Sequence, residues 1–332
     1  MKTIWRLVRF QLDPPETIVT LSSKLQSSSA KKVGTALAVA RLVVSATFDL
    51  LAQAAPAGKT QWIWFETIDQ SALPIVRAKL NGSGGHRLVI DPSFNDFVLD
   101  TLVVDGSGLK LPAQGQAEID YYGRKEKVPV VLLEELKVGE LAFSMVRTLL
   151  VDGEDGTGMG GLRSYGRIGR DLLEPLRLTI HYPRRLLYLE SSPAEVPAGG
   201  VRFESSGRFL MVPVVLSREG AVEPIEPVEP VEPMEEVHFI LDAGTSGTVL
   251  DKKWALEKGF APKGANGAEI ASLRVGEYEA KKLPVMLGVM KELPYGGTAV
   301  GVIGADLLLG LSVTYDFPRD LIWLVPAKEE AS

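Results

Sequence analysis

The chain repeats itself, and the repeat constrains its fold more than any other feature. GRIGRDLLEPLRLTIHYPRRLLYLE at 166–190 aligns without a gap with GVIGADLLLGLSVTYDFPRDLIWLV at 301–325. Each copy runs Ile-Gly-x-Asp-Leu-Leu, an alternating strand, an aromatic-Pro-Arg turn and a closing strand. Upstream, LKVGELAFSMVRTLLVD at 136–152 matches LRVGEYEAKKLPVMLGV at 273–289 in the same order. Further upstream, HRLVIDPSFNDFVLD at 86–100 matches VHFILDAGTSGTVLD at 237–251 position for position. Whatever structure one half adopts, the other must adopt as well.

Composition narrows that structure. The 33 Gly and 21 Pro are spread among short Val, Leu and Ile runs, which favours an all-β chain with many turns. At 332 residues there is enough chain for two domains, each with a core. Against 36 Lys and Arg stand 42 Asp and Glu, a net charge of −6 with no basic run, so nucleic acid is not an expected partner. No cysteine is present, which removes disulfides and thiolate zinc sites and fits either redox compartment. His86, His181 and His238 lie far apart in segments that read as strands, so no histidine metal cluster, and no metal or cofactor, is expected.

The halves map to 72–190 and 201–326, joined by a linker at 191–200 and followed by a tail at 327–332. Residues 1–60 form an extension outside the repeat. Within it, 31–57 has the basic flank, apolar middle and small-residue exit of a secretory signal, which implies export to a periplasm or the outside of the cell. Arg41 and Asp49 interrupt the apolar run and Met1 lies far upstream, so an amphipathic or disordered extension stands beside that reading. The same two charges oppose a stable transmembrane helix. In the second half, 221–236 repeats a Glu-Pro-aliphatic triplet, the composition of an extended polyproline-like spur that excludes helix and ladder pairing alike.

Each half delivers one aspartate to the end of an apolar strand, Asp91 in VIDPS and Asp242 in ILDAGTS. Two such loops related by an approximate two-fold axis bring the carboxylates face to face, where they hold one proton between them. The charged member then takes a proton from a bridging water while the protonated member polarises a substrate carbonyl. Taken alone, an Asp-x-Gly after a strand is usually a turn whose aspartate bonds its own backbone. Asp171 and Asp306, after the Ile-Gly pairs, read as caps of short helices beginning at Leu172 and Leu307. Gly169 and Gly304 read as glycines that permit close packing under the aspartate loops. The run 153–161 contains a Gly-x-Gly-x-x-Gly without a helix opening on it, and GTSG lacks both the Gly-x-Ser-x-Gly pattern and a following histidine, so dinucleotide binding and serine hydrolysis are set aside.

Apolar-Asp-x-Gly-Thr-Ser followed by apolar-Ile-Gly-x-Asp-Leu resembles the retropepsin-type aspartic proteases, bacterial members in particular, over nearly the whole chain beyond the extension. The resemblance implies two tandem acid-protease β-barrel lobes in one chain, a pseudo-two-fold unit with a central cleft that acts as a monomer on peptide or unfolded protein. It implies Asp242 and Asp91 as the catalytic pair, with Gly244, Thr245, Ser246, Ala243, Pro92 and Ser93 forming their loops. It also implies a flap from each half, at 264–267 and in the 106–115 region. The chain departs from the pattern at several points. Family members carry a hydroxyl after each aspartate that locks the loops together, whereas this chain has Ala243 and Pro92. In the first half Ser93 replaces the turn glycine and Phe94 the following hydroxyl residue, so Asp91 is expected to have strained and sparse support. Two functions of different class therefore remain: an aspartic endopeptidase, or a peptide-binding module of the same fold that has lost turnover.

Overall fold

Alternation decides where the strands run. In LRLTIH, Leu176, Leu178 and Ile180 are buried while Thr179 and His181 are half-exposed, and LSVTYD repeats the arrangement from Leu311 onward. The structure is a computed structural model that describes residues 61–67, 71–121, 124–152, 164–191, 195–206, 209–217, 236–290 and 299–327. The signal-like segment, the Gly-rich run at 153–161 and all but the last residue of the Glu-Pro repeat lie outside those residues.

The first half runs β1 (Gln61–Trp64), β2 (Glu66–Thr67), β3 (Pro74–Leu80), β4 (Ser83–Ile90), β5 (Val98–Asp100), α1 (Thr101–Ser107), β6 (Ala113–Tyr121), β7 (Arg124–Val138), β8 (Leu141–Val151), β9 (Gly166–Ile168), α2 (Arg170–Leu173), β10 (Leu176–His181) and β11 (Leu186–Ser191). The second runs β12 (Val201–Arg202), β13 (Glu204–Ser206), β14 (Phe209–Ser217), β15 (Val237–Leu241), β16 (Val249–Asp251), α3 (Lys252–Glu257), β17 (Pro262–Lys263), β18 (Gly267–Val275), β19 (Tyr278–Gly288), β20 (Ala299–Ile303), α4 (Ala305–Leu308), β21 (Leu311–Asp316) and β22 (Leu321–Pro326).

The molecule is all-β and bilobal. One eight-stranded sheet has the order β2-β3-β4-β9-β5-β8-β7-β6 and is closed by β3 on β7; the other has the order β13-β14-β15-β20-β16-β19-β18-β17 and is closed by β14 on β18. Strand for strand these are the same topology, so the sequence repeat is a structural one. The lobes share a third sheet of six strands, β1-β11-β10-β21-β22-β12, with three strands from each half. Its central pair is antiparallel with Thr179 opposite Thr314, and the two hydroxyls bond at 2.9 Å. These residues are separated by 135 positions, the spacing of the aligned repeats. A residue that faces its own repeat equivalent lies on the symmetry axis, so the pseudo-two-fold passes between Thr179 and Thr314.

Strand order also fixes where the aspartates sit. β9 lies between β4, to which it is parallel, and β5, to which it is antiparallel. The loop from the end of β4 to the start of β5 must therefore cross the end of β9, and Gly169 emerges directly beneath it. A Cβ at Gly169 would lie 2.4 Å from the Asp96 carbonyl oxygen. In the second lobe, where β15, β20 and β16 repeat the arrangement, a Cβ at Gly304 would meet the Gly247 carbonyl carbon and oxygen at 2.5 Å. The glycines are needed for that approach. Gly304→Ala is expected to cost about 1–3 kcal/mol, because the obstacle is backbone and the loop must lift; a urea midpoint equal to that of the wild type would contradict this.

The hairpin tips differ from expectation in one lobe. In the second lobe β17 and β18 turn between Lys263 and Gly267, as the Gly264 region suggests. In the first lobe, 106–115 runs from the end of α1 into the first residues of β6, and the hairpin tip lies instead where β6 and β7 meet at Tyr121 and Arg124. Gly106 and Gly108 belong to the close of α1, where Gly108 takes the left-handed conformation that ends a helix.

Candidate active site

Asp242 follows the last residue of β15, and its backbone N–H donates to Ile303 of β20 at 3.1 Å. Its Oδ1 accepts the Gly244 N–H and its Oδ2 the Thr245 hydroxyl, each at 2.8 Å. Below it, the Thr245 and Ser246 carbonyls accept the first N–H groups of α4, from Ala305 at 2.8 Å and Asp306 at 3.2 Å. The loop is thus seated on a helix start, and the half-buried Asp242 carboxylate is held from both sides. Gly244 does not have a positive φ. Its smallness matters instead because a Cβ would stand 3.1 Å from Oδ1 of Asp242.

Asp91 occupies the equivalent place: its N–H donates to Ile168 of β9 at 3.0 Å, and Phe94 and Asn95 accept from Arg170 and Asp171. Its support is not sparse. The Ser93 N–H and hydroxyl donate to Oδ1 at 2.9 and 2.5 Å, and Arg167 donates to Oδ2 at 2.5 Å. Nor is Ser93 strained, since its φ is not positive. The serine supplies the N–H that glycine would supply and adds a hydroxyl, while arginine replaces the donor lost to Phe94. This side chain of Asp91 is only 5% exposed and that of Arg167 14%.

Arg167 is the residue that motif reading missed. Cross-strand partners build a row in each lobe just beneath the aspartate, Ile75–Val89–Arg167–Val98–Leu149–Val130 in the first and Met211–Ile240–Val302–Val249–Met286–Gly267 in the second. Side chains two residues apart share a face, so Val89 and Ile240 place these rows on the face that carries Asp91 and Asp242. Every other residue of both rows is apolar or glycine. A second arginine, Arg170, replaces Ala305 of the other copy; it bonds Asn95 of the Asp91 loop and, at 2.7 Å, the Ser205 hydroxyl of the second lobe. Burial lowers the Arg170 guanidinium while Glu174 and Asp91 oppose that. The signal was the Arg-Ile-Gly-Arg of 167–170 standing against Val-Ile-Gly-Ala.

Ala243 and Pro92 carry no side-chain hydroxyl, yet the lobes are bonded at this level through the backbone. The Ala243 carbonyl accepts the Ala72 N–H at 2.8 Å and the Ser71 hydroxyl at 3.2 Å, all three residues being buried. Asp171 and Asp306 are not caps: α2 and α4 begin two residues earlier than expected, with Gly169 and Gly304 at the cap positions. Each carboxylate reaches out of its helix to the aspartate loop, from Asp171 to the Phe97 N–H and from Asp306 to the Thr248 N–H and hydroxyl, all at 2.8 Å. They brace the loops from behind.

Under the loops lie two buried phenols. Burial raises Tyr182, and the Asp91 charge adds to the rise. Burial likewise raises Tyr315, with Tyr182, Asp91 and Asp242 adding to it. Among the described residues no three His, Asp or Glu side chains gather as metal ligands, and no helix is long and apolar enough to cross a membrane.

No family model matches the sequence, and no curated protein matches it. The structure is similar to the aspartic proteinase from Irpex lacteus, with a TM-score of 0.53 at 10% identity, over 81% of this chain and 97% of that one. At that identity the likeness speaks for the fold alone: this chain has the all-β bilobal architecture of an aspartic proteinase.

Proposed function

We propose that the chain is an aspartic endopeptidase that cleaves peptide or unfolded protein, with Asp91 and Asp242 acting as one pair between lobes at 72–190 and 201–326. What supports this reading is the identical strand order of the two lobes about an axis between Thr179 and Thr314, with Asp91 and Asp242 at equivalent strand ends. The charged carboxylate takes a proton from water as the water oxygen bonds to the carbonyl carbon, and the protonated carboxyl gives its proton to the carbonyl oxygen. Collapse of that intermediate breaks the C–N bond, the amine leaving with the proton taken from water while the other carboxylate takes back the proton of the carbonyl-derived hydroxyl, which restores the pair with one proton. One chain supplies both halves, so the active unit is a monomer.

A specific observation favours a second reading, peptide binding without turnover. The Asp91 oxygens already accept from Ser93 and Arg167, and a carboxylate so committed has less capacity to take a proton from water. The two readings part on one experiment, incubation of wild-type chain with denatured protein from acid to neutral pH. New peptide termini by mass spectrometry support the endopeptidase. Retention of unfolded chains on the immobilised protein with no new termini at any pH supports the binding module.

A further inference from the structure

The six-stranded sheet shared by the lobes has an inner and an outer face. The cross-strand row Ile63–Leu187–Ile180–Val313–Leu324 lies in or against the core. The rows on either side of it point the other way, Trp62–Tyr188–Thr179–Thr314–Trp323 and Trp64–Leu186–His181–Ser312–Val325. Part of this outer face is covered by the linker between the lobes: the Glu195 carbonyl accepts from Arg177 at 3.2 Å and the Ala198 carbonyl from the Trp323 Nε1–H at 3.0 Å. The rest is open. Trp62 and Trp64 are 50% and 57% exposed, and Val325, four strand spacings or about 19 Å along the row from Trp64, is 52% exposed. Val196 on the covering linker is exposed too. Four of the ten exposed large apolar side chains among the described residues thus belong to this side of the molecule, a clustering that marks an interaction surface.

Three features select a lipid surface as the occupant. The open corner is aromatic, with the Trp62 ring against Tyr188 at a centroid distance of 4.8 Å. Trp and Tyr, large apolar rings with one polar atom, are the side chains that settle at the level of lipid headgroups. Between the apolar ends stand Thr179, His181, Ser312 and Thr314, all half-exposed. That polar middle is unlike the apolar core of a stable dimer interface and suits a headgroup layer. Upstream, Lys31 and Lys32 precede the apolar run 33–58, and Arg41 and Asp49 within it give the composition of a segment that lies on a membrane rather than across it. Gln61 of β1 follows Gly58 by three residues, so a bilayer that takes up the run receives Trp62 and Trp64 with it. The exposed Arg185, whose carbonyl accepts the Phe65 N–H at 3.0 Å, adds a cation at the same corner, as anionic lipid favours.

We propose that the outer face of the six-stranded sheet, anchored by Trp62 and Trp64, docks the molecule on a lipid bilayer. The inner face carries both lobes, so docking turns them away from the membrane. The proposal does not depend on the endopeptidase reading.

The test sediments the full chain with vesicles of phosphatidylethanolamine and phosphatidylglycerol. Wild type is expected to partition to the vesicles, and Trp62→Ser with Trp64→Ser to lower the partition coefficient about tenfold or more at a similar thermal midpoint. The chain has no cysteine, so Val325→Cys offers one site for an environment-sensitive fluorophore at the far end of the same row. Its emission should shift to the blue when vesicles are added, a readout that stands even if the tryptophan variant does not fold. Absence of wild-type partition, partition unchanged in the folded tryptophan variant, or no spectral shift at position 325 would overturn the proposal. So would a blue-shifted emission before lipid is added, which would give the face to the chain's own N-terminal extension. A wild type that dimerises without lipid through Trp62 and Trp64 would give it to a second copy and overturn the proposal as well.

Discussion

Asp242→Asn is expected to leave a folded chain that, on the proposed endopeptidase activity, cleaves about 100- to 10,000-fold more slowly than the wild type, the loss that follows when a positioned acid or base is removed. The substitution keeps one oxygen for the Gly244 N–H and an amide for the Thr245 hydroxyl, which can accept where it formerly donated. The loop is also held from outside the carboxylate, by α4 through Thr245 and Ser246 and by the first lobe through Ala243. Folding is thus insulated from the change, and thermal midpoints of variant and wild type should agree closely. A rate within tenfold of wild type at unchanged stability would remove Asp242 from the chemistry.

The largest stability effect is expected away from the aspartates, in the shared sheet. Asp316 is fully buried, and one of its oxygens accepts from Arg177 at 2.7 and 3.2 Å and from Arg319 at 2.9 Å. Arg177 itself is 8% exposed and stands opposite Asp316 across the β10–β21 pair that joins the lobes. Asp316→Ala leaves the buried Arg177 guanidinium only the Glu190 carboxylate at 3.8 Å and the Glu195 carbonyl at 3.2 Å, and is expected to cost about 3–5 kcal/mol, read by urea denaturation. Removing both charges in Arg177→Met with Asp316→Ala should cost less than the sum of the single changes, because neither member of the buried pair is then left facing the other's absence. Additive losses would mean that the pair is not coupled.

Much of this arrangement is legible in the residues. Two copies of Ile-Gly-x-Asp-Leu-Leu at a fixed spacing foretell two like lobes, and the Thr179–Thr314 contact shows that the same spacing is the symmetry of the fold. Gly169 and Gly304 are legible because a strand that emerges beneath a crossing loop has no room for a side chain. Asp242 is legible because its turn keeps glycine and threonine at the two positions that bond it.

What was not legible depended on side chains that meet across the sheet rather than along the chain. Arg167 is 76 residues from Asp91, and only the strand order β4-β9-β5 puts them side by side. Loss of the hydroxyl at Phe94 therefore looked like loss of support, when the donor had moved to a neighbouring strand. Ser71 was silent for the same reason, as its bond to Ala243 spans 172 residues. The first-lobe hairpin was misplaced because glycines mark the close of α1 as readily as a hairpin tip, and β-pairing alone tells them apart.

The central claim is that Asp91 and Asp242 act as one unit, and the most direct measurement is the cleavage rate of Asp91→Asn, Asp242→Asn and the double variant beside the wild type. Residues that act as a unit are grossly non-additive. The account predicts that each single variant loses nearly all activity and that the double variant is no slower than the slower single. Wild-type cleavage by Asp91→Asn, or losses that multiply in the double variant, would contradict it.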